Sequence, residues 1–245
     1  MRSGWICWSS SPGYYRPVTS LSLAEALALL ALSEDGILRG PQEDLDLGLA
    51  AALLADLSTA GKIDHIDGNV VVTNSEPTGN TLDDAALRDI AQDARLRGPR
   101  DWVVRLTKNV RDRTLEKLVQ DGELIRTRSR MLRLLPVDRY RVTSLGDSSP
   151  VIGARQRLRR AAIDAAAVDR TSLALCALVS ALGWSSDLVP DLPAQDVDRR
   201  FAAMRRSVWA AGALRDLINE RRVGPWGPTV GRIAANLDEW PTDAR

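Results

Sequence analysis

The chain has 245 residues, 44% of them hydrophobic, which is enough for a substantial core, and a formal net charge of only +1. Aromatic residues make up 4%, with a single Phe, so the core must be aliphatic, and an Ala/Leu-rich composition favours helices over sheets. One histidine (His65) and two distant cysteines (Cys7 and Cys176) exclude most metal-based and histidine-based catalytic schemes.

In chain order, residues 1–19 read as a tail rich in Ser, Gly, Tyr and Trp, without the long apolar stretch of a signal peptide. Ser22 and Glu25 have the spacing of a capping box at the start of "LSLAEALALLALSEDG". That run is interrupted by Glu25 and stops far short of the roughly 18–20 apolar residues needed to span a membrane. Residues 34–48, "EDGILRGPQEDLDLG", are expected to be a loop, followed by an Ala/Leu helix ending at Gly61. "KIDHIDGNVVVTN" reads as two short strands about Asp67–Gly68, with His65 at the surface. An amphipathic helix follows the Pro77–Gly79 turn, and a short one surrounds Trp102, which is expected to pack on the bundle.

"TKNVRDRTLEKLVQDG" predicts a helix with a basic start and a seam of Val110, Thr114, Leu115 and Leu118. "LIRTRSRMLRLLPVDRYR" predicts a hairpin after Gly122. From Val151 onward the pattern is helical, with "SLALCALVSALGW" apolar all round and "RRFAAMRRSVWAAGALRDLINE" continuous up to Gly224–Pro225. The fold class is therefore mainly α, a bundle of apolar helices ringed by amphipathic ones, with two short β-hairpins. Its domain is expected over residues 20–222, with a further tail at 223–245.

The small net charge hides a split. Residues 20–93 carry 14 acidic against 3 basic side chains, and residues 95–141 carry 14 basic against 6 acidic. Such a dipolar chain offers one face to anions. A glycine-rich phosphate loop, a GxSxG elbow and paired cysteines are all lacking. Neither catalysis, a cofactor nor a metal is expected.

The internal echo between "LADLSTAGKI" and "LEKLVQDGEL", each a helix leading into a hairpin, allows a tandem winged-helix DNA-binding regulator. The near-neutral charge and the acidic first unit make nucleic acid an unfavourable partner. A protein-interaction scaffold stays open as a third reading. So does a homo-oligomer that sets the acidic half of one copy against the basic half of another, in a salt-sensitive assembly.

"LSLAEALALLALSEDG", "GLAAALLADLSTAGKI", "PTGNTLDDAAL", "KNVRDRTLEKLVQDGEL" and "RQRLRRA", in that order over residues 20–222, resemble the Golgi phosphoprotein 3 family, which occurs in eukaryotes and some bacteria. The 30 arginines against 3 lysines suggest a GC-rich bacterial source. The resemblance implies a peripheral protein on the inner face of the membrane. It would bind anionic phospholipid headgroups, in this family phosphatidylinositol 4-phosphate, beside an apolar hairpin that dips into the bilayer. Of the family's four pocket positions, two basic ones match Lys108 and Arg111. Three apart on a first helical turn, these would face one side, toward a helix N-terminus suited to phosphate. The other two fall on Ala50 and near Pro41, so an Arg restored at Ala50 is expected to strengthen the pocket. The membrane hairpin corresponds to Met131, Leu132, Leu134 and Leu135 flanked by Arg126, Arg128, Arg130 and Arg133.

Overall fold

The computed structural model describes residues 21–33, 36–131, 135–143, 149–164 and 168–223, at 128–131 and 135–137 as backbone alone. The expected tails lie outside the described residues, apart from Val223, which is helical. The first helix, α1 (Leu23–Leu30), starts where the sequence places it. Ser22 Oγ accepts from the Glu25 amide, and Glu25 Oε2 accepts from the Ser22 amide at 2.8 Å, so two otherwise orphaned N–H groups are satisfied. Every residue of α1 is buried.

Helix α2 (Gln42–Thr59) begins seven residues earlier than expected, so 42–48 are helix and not loop. Pro41 precedes the first turn with its φ fixed at −63°, and Glu43 and Asp44 in that turn complement the helix dipole. Gly48, the last residue of the expected loop, serves packing here. A Cβ at Gly48 would stand 3.1 Å from Leu182 Cδ1 and 3.4 Å from Leu27 Cδ2, so its absence lets α2 sit close to its neighbours.

Strands β1 (Ile63–Ile66) and β2 (Asn69–Val72) pair antiparallel about Asp67 and Gly68, whose φ values of 50° and 81° are the left-handed pair that a two-residue hairpin turn needs. His65 is exposed on β1, its ring centroid 5.7 Å from that of Trp209. Helix α3 (Thr81–Gln92) is capped by Asn80, whose side chain accepts from the Leu82 amide. In α4 (Pro99–Leu106) Trp102 is 2% exposed and packs into the core as expected, with Arg105 over its ring. Helix α5 (Val110–Gln120) buries Val110, Thr114, Leu115 and Leu118, the seam read from the sequence.

The second hairpin pairs β3 (Leu124–Met131) with β4 (Leu135–Val142), from Leu124 opposite Val142 to Met131 opposite Leu135. Its base is fixed by Leu124, 2% exposed, and by Gly36, whose carbonyl accepts from the Tyr140 amide at 3.2 Å. Gly36 has φ +73°, and a Cβ there would lie 2.3 Å from the Tyr140 carbonyl oxygen, so only glycine fits.

Helices α6 (Pro150–Ile163), α7 (Arg170–Leu182), α8 (Ser185–Leu188), α9 (Ala194–Arg205) and α10 (Trp209–Val223) complete the bundle. As expected, α7 is a central helix: it packs against α1, α2, α6, α8, α9 and α10 and is buried from Ala174 to Leu182. Cys176 lies in that run, where burial pushes its thiol up to about 12, out of reach of nucleophilic chemistry at neutral pH. The segment Arg199–Glu220, read as one helix, is two. Ser207 Oγ donates to the Met204 carbonyl at 2.7 Å, and this local competition for a backbone acceptor ends α9 before α10 starts.

Candidate anion-binding surfaces

Lys108 and Arg111 do not converge on one free face. Lys108 lies in the turn before α5 rather than in its first turn, with an exposed side chain and no ion-pair partner among the described residues. The turn forms because Asn109 takes the left-handed conformation, φ 56°, so the chain reverses before α5 begins. Arg111 turns inward instead. Its side chain is 21% exposed, with Nη1 3.6 Å from Asp46 Oδ2 on α2 and Nε 3.8 Å from Asp112 Oδ1. Burial raises the Asp46 carboxyl above the usual range, and the Arg111 charge opposes that rise. Arg111 thus serves to hold a half-buried carboxylate.

The surroundings continue in the same sign. The first two turns of α2 hold Glu43, Asp44 and Asp46, and Arg221 approaches Glu43 at 3.6 Å and Asp44 at 3.7 Å. A cavity of about 470 Å³ beside them is lined by Glu43, Asp46 and Glu220 against a single cation, Arg221. Ala50, where the resemblance calls for an arginine, is 0% exposed within the core. The expectation that an arginine there would strengthen a pocket is therefore overturned: the position faces packed helices. A headgroup at this place would meet carboxylates on the α2 side and one engaged arginine.

The hairpin is the other surface. Leu124, Tyr140 and Val142 turn toward the core, so strand alternation directs Ile125, Thr127, Arg139 and Arg141 outward, and all four are exposed. Ile125 is opposite Arg141 and Thr127 opposite Arg139 in the register, which sets an apolar side chain, 52% exposed, among cations. Arg126, a sequence candidate, lies in register with Tyr140 and forms an ion pair with Asp138, so its charge is locally balanced. Arg128 and Arg130 occupy register positions opposite Asp138 and Pro136, and Met131 and Leu135 close the ladder. Leu132, Arg133 and Leu134 lie outside the described residues. Sequence reasoning missed Arg139 and Arg141. Their signal was present as a period of two in "DRYRV", which puts both arginines on one face of a strand.

A family model described as Golgi phosphoprotein 3 (GPP34) matches residues 23–221. A comparison with curated proteins gave no match.

Proposed function

Because the chain belongs to the Golgi phosphoprotein 3 family, we propose that it binds anionic phospholipid surfaces peripherally, through the outer face of the β3–β4 hairpin. The observation that carries this reading is Ile125 exposed beside Arg139 and Arg141 on a hairpin fixed at its base. Among the described residues no helix is long and apolar enough to cross a membrane, which suits attachment from one side. Near an anionic surface each basic residue contributes about 1 kcal/mol, so Arg139, Arg141 and Lys108, which has no ion-pair partner among the described residues, give reversible attachment.

Selectivity is expected to be broad. A pocket discriminates a phosphorylated inositol ring by charges converging from two sides, and the α2 side supplies Glu43 and Asp46 instead. Phosphatidylinositol 4-phosphate would then bind as one anionic lipid among others, in proportion to its charge. Binding rather than turnover is the proposed activity, since the groups that support it are cations and an aliphatic side chain.

The test is co-sedimentation with phosphatidylcholine vesicles containing 0–40% phosphatidylserine or an equal charge of phosphatidylinositol 4-phosphate, at 50 and 500 mM NaCl. Binding should rise with charge density, be similar for the two lipids at matched charge, and fall at least tenfold at high salt. Equal binding to neutral vesicles would overturn the electrostatic reading. Retention only by duplex DNA in a parallel gel shift would favour a nucleic-acid partner instead.

A further inference from the structure

A cavity of about 650 Å³ lies between the starts of α1 and α7, the ends of α2 and α5, and the turn before α3. Six carboxylates line it, Glu25, Asp56, Asp83, Asp121, Glu123 and Asp169, against two cations, Lys117 and Arg157. Several of these have evident structural work. Glu25 completes the α1 capping box and lies 2.9 Å from Lys117 Nζ. Lys117 also holds Asp121 at 2.6 Å. Asp56 accepts from the Leu23 amide at 2.7 Å, bracing α1 from α2. Asp169 caps α7, accepting from the Ser172 amide and hydroxyl.

Asp83 has no such work. It is 5% exposed, and its Oδ1 is buried without a hydrogen-bond partner among the described residues. The local fold does not require an acid there. Asn80 caps α3, and the adjacent Asp84 holds the Pro77–Gly79 turn by accepting from the Thr78 amide at 2.6 Å and the Thr78 hydroxyl at 2.7 Å. A buried unpaired carboxyl oxygen is costly, so its presence in a cavity wall points to a partner that comes from outside the chain.

We propose that this cavity binds a small aliphatic diamine or polyamine, with Asp83 receiving one ammonium group. Among the described residues six carboxylates face two cations, an excess that suits a dication better than a single charge. Among the described residues no three side chains are grouped closely enough to hold a metal ion, whereas an alkyl diamine can span acids spread around a cavity. Ser22, Thr59, Thr78 and Thr171 on the walls supply further oxygen acceptors for N–H groups.

Binding is linked to protons. Burial, then the charges of Asp56, Glu25 and Asp84, push the Asp83 carboxyl up to about 8, with Lys117 opposing. Burial, with Glu25 adding and the Leu23 and Ala24 amides opposing, pushes Asp56 up to about 7. Asp121 and Glu123 face the same space from the end of α5, Arg157 from α6, Asp169 from the start of α7, and Arg88 follows Asp84 on α3. An arriving ammonium takes the place of a proton, so affinity rises with pH across this window.

Calorimetric titration of the full chain with spermidine and putrescine at pH 6.0 and 8.5, in 150 mM salt, tests this. One site is expected, at least tenfold tighter at pH 8.5, with a heat that varies with the buffer's ionisation enthalpy because protons are released. Asp83→Asn should weaken binding tenfold or more and remove most of the pH dependence. Glu123→Gln, at a half-buried position, should weaken it severalfold with the fold intact. Glu43→Gln, in the acid cluster at the start of α2, should change nothing. No binding at millimolar polyamine at pH 8.5, unchanged affinity in Asp83→Asn, or binding of a lysine-containing peptide but neither amine would overturn the proposal.

Discussion

Ala50→Arg is expected to unfold the protein, not to complete a headgroup pocket. Ala50 is 0% exposed in the middle of α2, in a run from Leu49 to Ala55 that is buried throughout. The small side chains at 50–52 are what allow α1, α4, α7 and α10 to close around this helix. An arginine adds a long stem to a filled interior, at about 1–3 kcal/mol, and an unpaired buried charge, at several kcal/mol more. The total is comparable to the roughly 5–15 kcal/mol that holds a domain together. Urea denaturation followed by helical circular dichroism measures it, with Ala50→Ser as the mild control. A folded Ala50→Arg variant with the parent's urea midpoint and raised affinity for phosphatidylinositol 4-phosphate would show that the position opens to a ligand.

Stability should fall steeply as pH rises from 5 to 8.5, the reverse of ordinary acid sensitivity. Asp56 and Asp83 carry carboxyls raised to about 7 and about 8, chiefly by burial, against a value near 4 in the unfolded chain. Between those values the folded state holds protons that the unfolded state has lost. Stability from these groups is therefore complete below about pH 4 and is lost as pH climbs through 7 to 8. Each such group changes stability by about 1.4 kcal/mol per pH unit inside its window. At the acid end Asp84 and Asp169, lowered from the usual range with hydrogen bonds to Thr78 and Ser172 contributing, work in the opposite direction and weaken the fold below about pH 4. Urea midpoints across pH 3–9 should thus peak near pH 4. Asp83→Asn should flatten the alkaline limb and stabilise the protein at pH 8.5 by about 2 kcal/mol or more. A flat profile from pH 5 to 8.5 in the parent would contradict the burial of both acids.

Most of the architecture was legible because local signals and packing agree. The capping box at Ser22 and Glu25, the Asp67–Gly68 turn and the unbroken apolar face of α7 each specify one conformation with little competition. Where the reading failed, tertiary packing outweighed local composition. Gly48 and the acids of 43–46 resemble a loop until Leu182 and Leu27 are seen to fill the space beside that glycine. Ser207 interrupts a continuous amphipathic pattern through one side-chain hydrogen bond, which periodicity cannot register.

The binding surface was legible only in part, because a cation's meaning depends on what stands opposite it. Arg111 belongs to a basic stretch of sequence and to an acidic site in space, since Asp46 comes from a helix about sixty residues earlier. Arg126 and Arg139 are both arginines of the same hairpin, yet Asp138 neutralises the first while the second faces outward. Nothing in the order of charges along the chain distinguishes them. Strand register does, and the period of two in "DRYRV" already sets Arg139 and Arg141 on one face. Asp83 was hidden for a related reason: beside Asp84 in "LDDAAL" it looks like an ordinary acid in a first helical turn.

The outer face of the hairpin is the central claim, and one comparison tests it most directly: flotation of the parent and of Arg139→Glu/Arg141→Glu with 30% phosphatidylserine vesicles at 50 mM NaCl. Both side chains are exposed and without an ion-pair partner among the described residues, so the variant's melting temperature should stay within a few degrees of the parent's. The parent is expected to float with the vesicles and the double variant to remain at the bottom, its binding reduced tenfold or more. A variant that keeps its fold and floats as completely as the parent would mean that Arg139 and Arg141 are only a solvated face, and that the membrane contact lies elsewhere.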